Sequence, residues 1–151
     1  MRLLTLIVAG AITNSVVAED KKVKDEEAIL GTWKVVGVDV GTQESPYPPE
    51  AMKNWRMVFE KGDKVTSNAM DKDGKNATAG YKLDSSEKPK AFDVVGKDWK
   101  TLAIYDLDGD NLKLCLNYGA DDKRPTEFKG NEKRYLILMT LKRVKDEKKD
   151  K

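Results

Sequence analysis

From residue 30 to residue 144 the apolar side chains alternate with polar ones in short runs, and no stretch sustains a helical period. Turn chemistry separates the runs. Lys61-Gly62-Asp63, Asp73-Gly74 and Asp108-Gly109-Asp110 each place glycine where a hairpin needs a positive φ. This pattern restricts the chain to an all-β fold. Strands are expected over 32–40, 56–61, 64–69, 78–83, 91–95, 101–106, 111–117 and 134–144. Pro46, Pro48 and Pro49 stop the first of them. Pro49-Glu50-Ala51-Met52 then offers proline at the start of a short helical segment after that strand. About eight such strands fit a single antiparallel up-and-down barrel, closed so that no edge is exposed, or a two-sheet sandwich. Periodicity alone leaves both open.

The two ends of the chain read differently. Arg2 precedes a mostly apolar run from Leu3 to Val17, and Val16-Val17-Ala18 presents small or modest side chains at a cleavage site. Residues 1–18 are therefore expected to be a signal peptide, since the apolar run is short and broken by Thr13, Asn14 and Ser15. The mature chain is expected to be exported, periplasmic or secreted, with no integral membrane segment left after cleavage. Residues 19–27 form a charged leader and 28–144 one domain. Residues 145–151, all charged, are expected to be a disordered tail, because nothing in them can be buried to offset ordering entropy.

Charged residues make up 36% of the chain but nearly cancel, for a net charge of +2. A heavily charged, near-neutral surface argues against nucleic acid as a partner. The single cysteine, Cys115, has no partner for an internal disulfide and is read as a small packed residue on a strand.

Little points to catalysis. There is no histidine, so the commonest general base and metal ligand is missing, and Cys115 cannot form a Cys–His pair. No nucleophile elbow and no phosphate-cradling glycine loop occurs. Asp71-Lys72-Asp73-Gly74-Lys75-Asn76 begins like a calcium loop but lacks its later ligands, and Asp106, Asp108 and Asp110 frame a hairpin turn. The expectation is a non-enzymatic protein with no cofactor and no metal.

Three segments carry a family resemblance: LGTWKVVGVDVG at 30–41, YKLDSSEKPKAFDV at 81–94 and IYDLDGDNLKLCLNYGADDKRPTEF at 104–128. Together, and in this order, they resemble a lipocalin-like conserved domain of unknown function best known from planctomycete bacteria. The resemblance favours the lipocalin- or calycin-like barrel over the sandwich. It also implies a barrel closure. In such barrels the tryptophan of Gly-x-Trp, here Gly31-Thr32-Trp33, closes the narrow end under a late arginine. Tyr135, Ile137, Met139, Leu141 and Arg143 share one face of the last strand at period two, which puts Arg143 at the end of an apolar row.

What the resemblance implies for function is a small exported binding protein holding a small hydrophobic or amphipathic molecule. The alternative is a filled barrel serving as a structural or protein-interaction module of the cell envelope. Tyr81, Tyr105, Tyr118 and Arg124 are the candidate ligand contacts, being aromatic or cationic and placed on strands or loops that can meet at one end. Arg124, in Arg124-Pro125-Thr126-Glu127-Phe128, can instead pair with Glu127 or Asp93 and fix its loop to the sheet, with Phe128 plugging the core. Large residues on the inward rows (Trp33, Phe59, Phe92, Tyr135 and Met139) lean towards filling. An exposed aromatic at a barrel mouth would be the best pointer to a site, which makes the places of Trp55 and Trp99 decisive.

Overall fold

The computed structural model describes residues 23–71 and 73–145. The expected signal peptide and nearly all of the expected tail lie outside the described residues. The described chain is a closed barrel of eight antiparallel strands in sequence order. These are β1 (Gly31–Asp39), β2 (Arg56–Glu60), β3 (Lys64–Ser67), β4 (Ala77–Asp84), β5 (Ala91–Val95), β6 (Lys100–Asp108), β7 (Asn111–Asn117) and β8 (Leu136–Arg143). Strand β8 closes on β1, with Trp33 opposite Arg143 and Val35 opposite Leu141. Two single-turn helices flank β1: α1 (Asp25–Ala28) before it and α2 (Pro49–Met52) after it. Proline begins α2, where its missing N–H costs nothing.

Register follows from the alternation. Phe59 faces Val65, Leu83 faces Phe92, Tyr105 faces Leu114 and Leu114 faces Met139, each pair lying on the inner surface. One core results, including Trp33, Phe59, Phe92, Leu112 and Leu141. A bulge between Val35 and Gly37 sets Val36 outside and resumes the inward row at Val38.

Two places differ from the pattern's simplest extension. Strand β8 begins at Leu136, because Glu132–Arg134 form a 3₁₀ turn and Tyr135 caps it at φ +54. Tyr135 therefore leaves the inward row and is 67% exposed, while Ile137, Met139 and Leu141 keep their places. Phe128 does not plug the barrel. It packs on the outer wall with Ile104, Cys115, Leu136 and Leu138, a second small cluster under the 124–130 segment.

The two ends of the barrel are unlike. Short connections, 61–63, 85–90 and 109–110, share one end with α1 and the last residue of β8. The longer connections 40–55, 68–76 and 118–135, together with the tight turn 96–99, gather at the other. Strand direction dictates this sorting, and it leaves one end tied and the other framed by loops.

Candidate functional site

The tied end is shut by a stack of named groups. The Trp33 side chain is fully buried, and its indole N–H donates to the Ile29 carbonyl at 2.8 Å. The Arg143 guanidinium lies 4.3 Å from the Trp33 ring centre. Its Nη1 donates to the Leu30 carbonyl at 2.8 Å and its Nη2 to the Ala28 carbonyl. Its Nε reaches Asp110 at 3.2 Å. Gly31 makes room for this arrangement. It holds φ +118, and a methyl there would stand 3.3 Å from Arg143 Nη1. Beside the stack, Tyr105 and Lys90 each donate to Asp25 at 2.7 Å, which moors α1 to the barrel.

Above this closure the interior is packed with rings. Phe59 and Tyr81 meet edge to face at 5.2 Å, and Phe92 lies 6.1 Å from Phe59 and 5.9 Å from Tyr81. Tyr81 and Tyr105 are thus core residues. Burial first, then acidic neighbours, push both phenol pKa values up, so both stay neutral.

Arg124 sits on the outer wall. Its Nη1 donates to Asp93 at 2.6 Å and to the Ala103 carbonyl at 2.8 Å, tying the 124–130 segment across β5 and β6. Burial pushes the Asp93 carboxyl up, but hydrogen bonds from Arg124 and Lys100 outweigh it and hold the pKa below the usual carboxylate range. Cys115 is fully buried beneath the same segment, and burial pushes its thiol pKa up. Asp71 accepts the N–H groups of Asp73 at 2.8 Å and Lys75 at 3.0 Å, which is turn chemistry. Among the described residues no cluster of acidic, cysteine or histidine side chains could hold a metal ion.

The four tyrosine and arginine candidates therefore do not meet. Tyr81 and Tyr105 are interior, Arg124 is external, and Tyr118 alone stands at the loop-framed end. There the packed core rings end. An apolar cavity of about 170 Å³ opens between Met57, Val65, Leu116 and Met139, floored and walled by the small Ala69, Ala77 and Ala79. Among the described residues, no charged side chain lines it. Trp99 and Tyr118 flank it, 53% and 51% exposed. The Trp99 indole lies flat on the tight turn, so close to Gly96 that a methyl there would fall 2.1 Å from the ring. Tyr118 continues the inward row of β7. Burial and then the Tyr47 hydroxyl raise the pKa of Tyr118, although the residue is half exposed. Trp55, by contrast, is buried, with Tyr47 edge-on at 4.9 Å.

Four larger hollows lie outside the barrel: two of about 240 and 280 Å³, and two of about 460 Å³ each. The two largest are open grooves at the tied end, lined mainly by charged side chains, and Arg124, Asp93, Lys90 and Asp25 among these already pair with one another. Enclosure and apolar lining, not volume, make the mouth cavity the site.

Sequence reasoning reached Tyr118 and singled out Trp99 without placing it, but missed Met57, Leu116 and Met139 as neighbours. The available signal was the Gly96-to-Trp99 spacing. A tight turn between two strands puts an aromatic at a barrel rim. Compared with models of known families, with curated proteins and with solved structures, the chain matches none. No described helix is long and apolar enough to cross a membrane.

Proposed function

We propose that this chain is a small exported, non-catalytic binding protein of lipocalin-like type, which holds a small apolar or amphipathic molecule in the mouth of its barrel. The observation that carries this reading is the uncharged, apolar cavity flanked by the half-exposed Trp99 and Tyr118. Exposed aromatic surface beside an apolar opening costs free energy in water and is returned when a ligand covers it. The interior below supports a passive role, because it holds packed rings and aliphatic chains with no paired acid and base aimed at a common point.

A filled barrel acting as an envelope interaction module is the competing reading, and the ring-packed lower barrel favours it. Native mass spectrometry of the mature protein, purified gently from its own host, separates the two. A bound small molecule, released on denaturation and absent from an Ala79→Phe variant, supports the carrier. An apo mass, together with no uptake of any apolar compound from a mixed panel, supports the filled module.

A further inference from the structure

Resting on that reading, we propose that the mouth site takes a neutral single-ring aromatic molecule of the phenol class, and not a long acyl chain. The size, charge and shape of the cavity set this class.

The first is size. The cavity holds about 170 Å³. A buried apolar cavity of about 150 Å³ is enough for benzene. A long chain would need the lower barrel as well, and Phe59, Tyr81, Phe92 and Tyr105 occupy it. Phe59 packs edge to face with Tyr81 and with Phe92, so a chain passing between them would displace buried rings.

The second is charge. Among the described residues, no basic or acidic side chain lines the cavity. A carboxylate or ammonium drawn into it would lose hydration and find no counter-charge.

The third is shape and polarity. Met57 and Met139, from the two strands that flank β1, line the cavity together with Trp99 and Tyr118 at the rim. Sulfur and aromatic contacts favour a flat, polarisable guest over a flexible one. One polar substituent is accommodated. The Ser67 hydroxyl accepts the Ala69 N–H at 3.0 Å and keeps its own proton to donate. Tyr118, half exposed at the rim, carries a hydroxyl that can donate to or accept from a phenol.

The test is a titration of the full mature protein, followed by tryptophan fluorescence and calorimetry, with p-cresol, benzoate and benzylamine at pH 7. A series from phenol through 4-ethylphenol to 4-octylphenol is run alongside. The expected result is saturable p-cresol binding, at least about tenfold tighter than either charged analogue. Affinity rises to 4-ethylphenol and then levels. Ala79→Phe, which fills the cavity from a small inward position, abolishes binding. Trp99→Ala, at an exposed position, weakens binding several-fold with an unchanged melting temperature.

Continued tightening of about fourfold per added CH₂ through 4-octylphenol would overturn the single-ring claim while leaving a mouth-binding carrier intact. Equal binding of benzoate and p-cresol would overturn the neutral class. Absence of binding by every compound, in a protein whose fold is verified by circular dichroism, would overturn this inference and the carrier reading together.

Discussion

Replacing Arg143 by alanine should destabilise the barrel by about 2.5–4.5 kcal/mol, and the amount can be worked from the closure geometry. The side chain is only 24% exposed, so its contacts are partly desolvated. Its two hydrogen bonds run to the Leu30 and Ala28 carbonyls, at the end of α1 and just beyond it. A charged donor to a carbonyl is worth about 1–1.5 kcal/mol net in such a setting, and truncation leaves both carbonyls without this partner. Stacking over Trp33 adds about 0.5–1 kcal/mol. The pair with the half-exposed Asp110 adds little, about 0–0.5 kcal/mol. For a domain of this size each kcal/mol moves the melting temperature by about 3–5 °C, so Arg143→Ala should melt about 8–22 °C lower. Arg143→Lys keeps the charge but cannot span two carbonyls while lying flat on the indole, and should lose about half as much. Scanning calorimetry on the three proteins reads this directly. An alanine variant melting within about 2 °C of the parent would show that the arginine adds nothing to the closure, contrary to the reasoning above.

Two further outcomes follow from the outer wall. Asp93→Asn should cost about 1–2 kcal/mol at pH 7 by breaking the pair with Arg124. The Asp93 pKa is lower folded than unfolded, so its contribution is present above about pH 4 and disappears as pH falls through the folded value. Urea titrations of parent and variant should therefore converge on acidification, and a constant gap down to pH 2 would refute the ionic account. Cys115 should react with a thiol reagent at least about a hundredfold more slowly in the native protein than in urea, because the thiol is buried and its pKa raised. Equal rates would mean that the 124–130 segment does not cover it.

Much of the architecture was legible because a closed barrel with one inner face makes alternation obligatory. The runs at 91–95 and 111–117 coincide with β5 and β7, and the other strands differ by a few residues at their ends. The misplacement of Tyr135 has a local cause. Alternation was carried back through Arg134, whereas Asn131 caps a 3₁₀ turn there and sets Tyr135 in the left-handed region. Phe128 was read inward because it is large and apolar. Yet the near-continuous apolar runs of β7 and β8 were the sign that their outer face is covered too, as Ile104, Cys115 and Leu138 under Phe128 show. The mouth was the hardest part to see. Met57, Leu116 and Met139 come from three strands, and only strand stagger brings their ends level with Trp99. Tyr81 and Arg124 looked like site residues by chemistry, and register sends one to the core and the other to the outer wall.

The claim at the centre of this account is that the loop-framed end holds an accessible apolar cavity and the tied end does not. Methyl NMR under xenon pressure tests it most directly, since xenon enters apolar cavities whatever the natural ligand. The account predicts saturable shifts at Met57, Leu116 and Met139, with Leu112 and Leu141 unmoved. Shifts at Leu112 and Leu141 with a silent mouth, or no saturable shift anywhere, would contradict it.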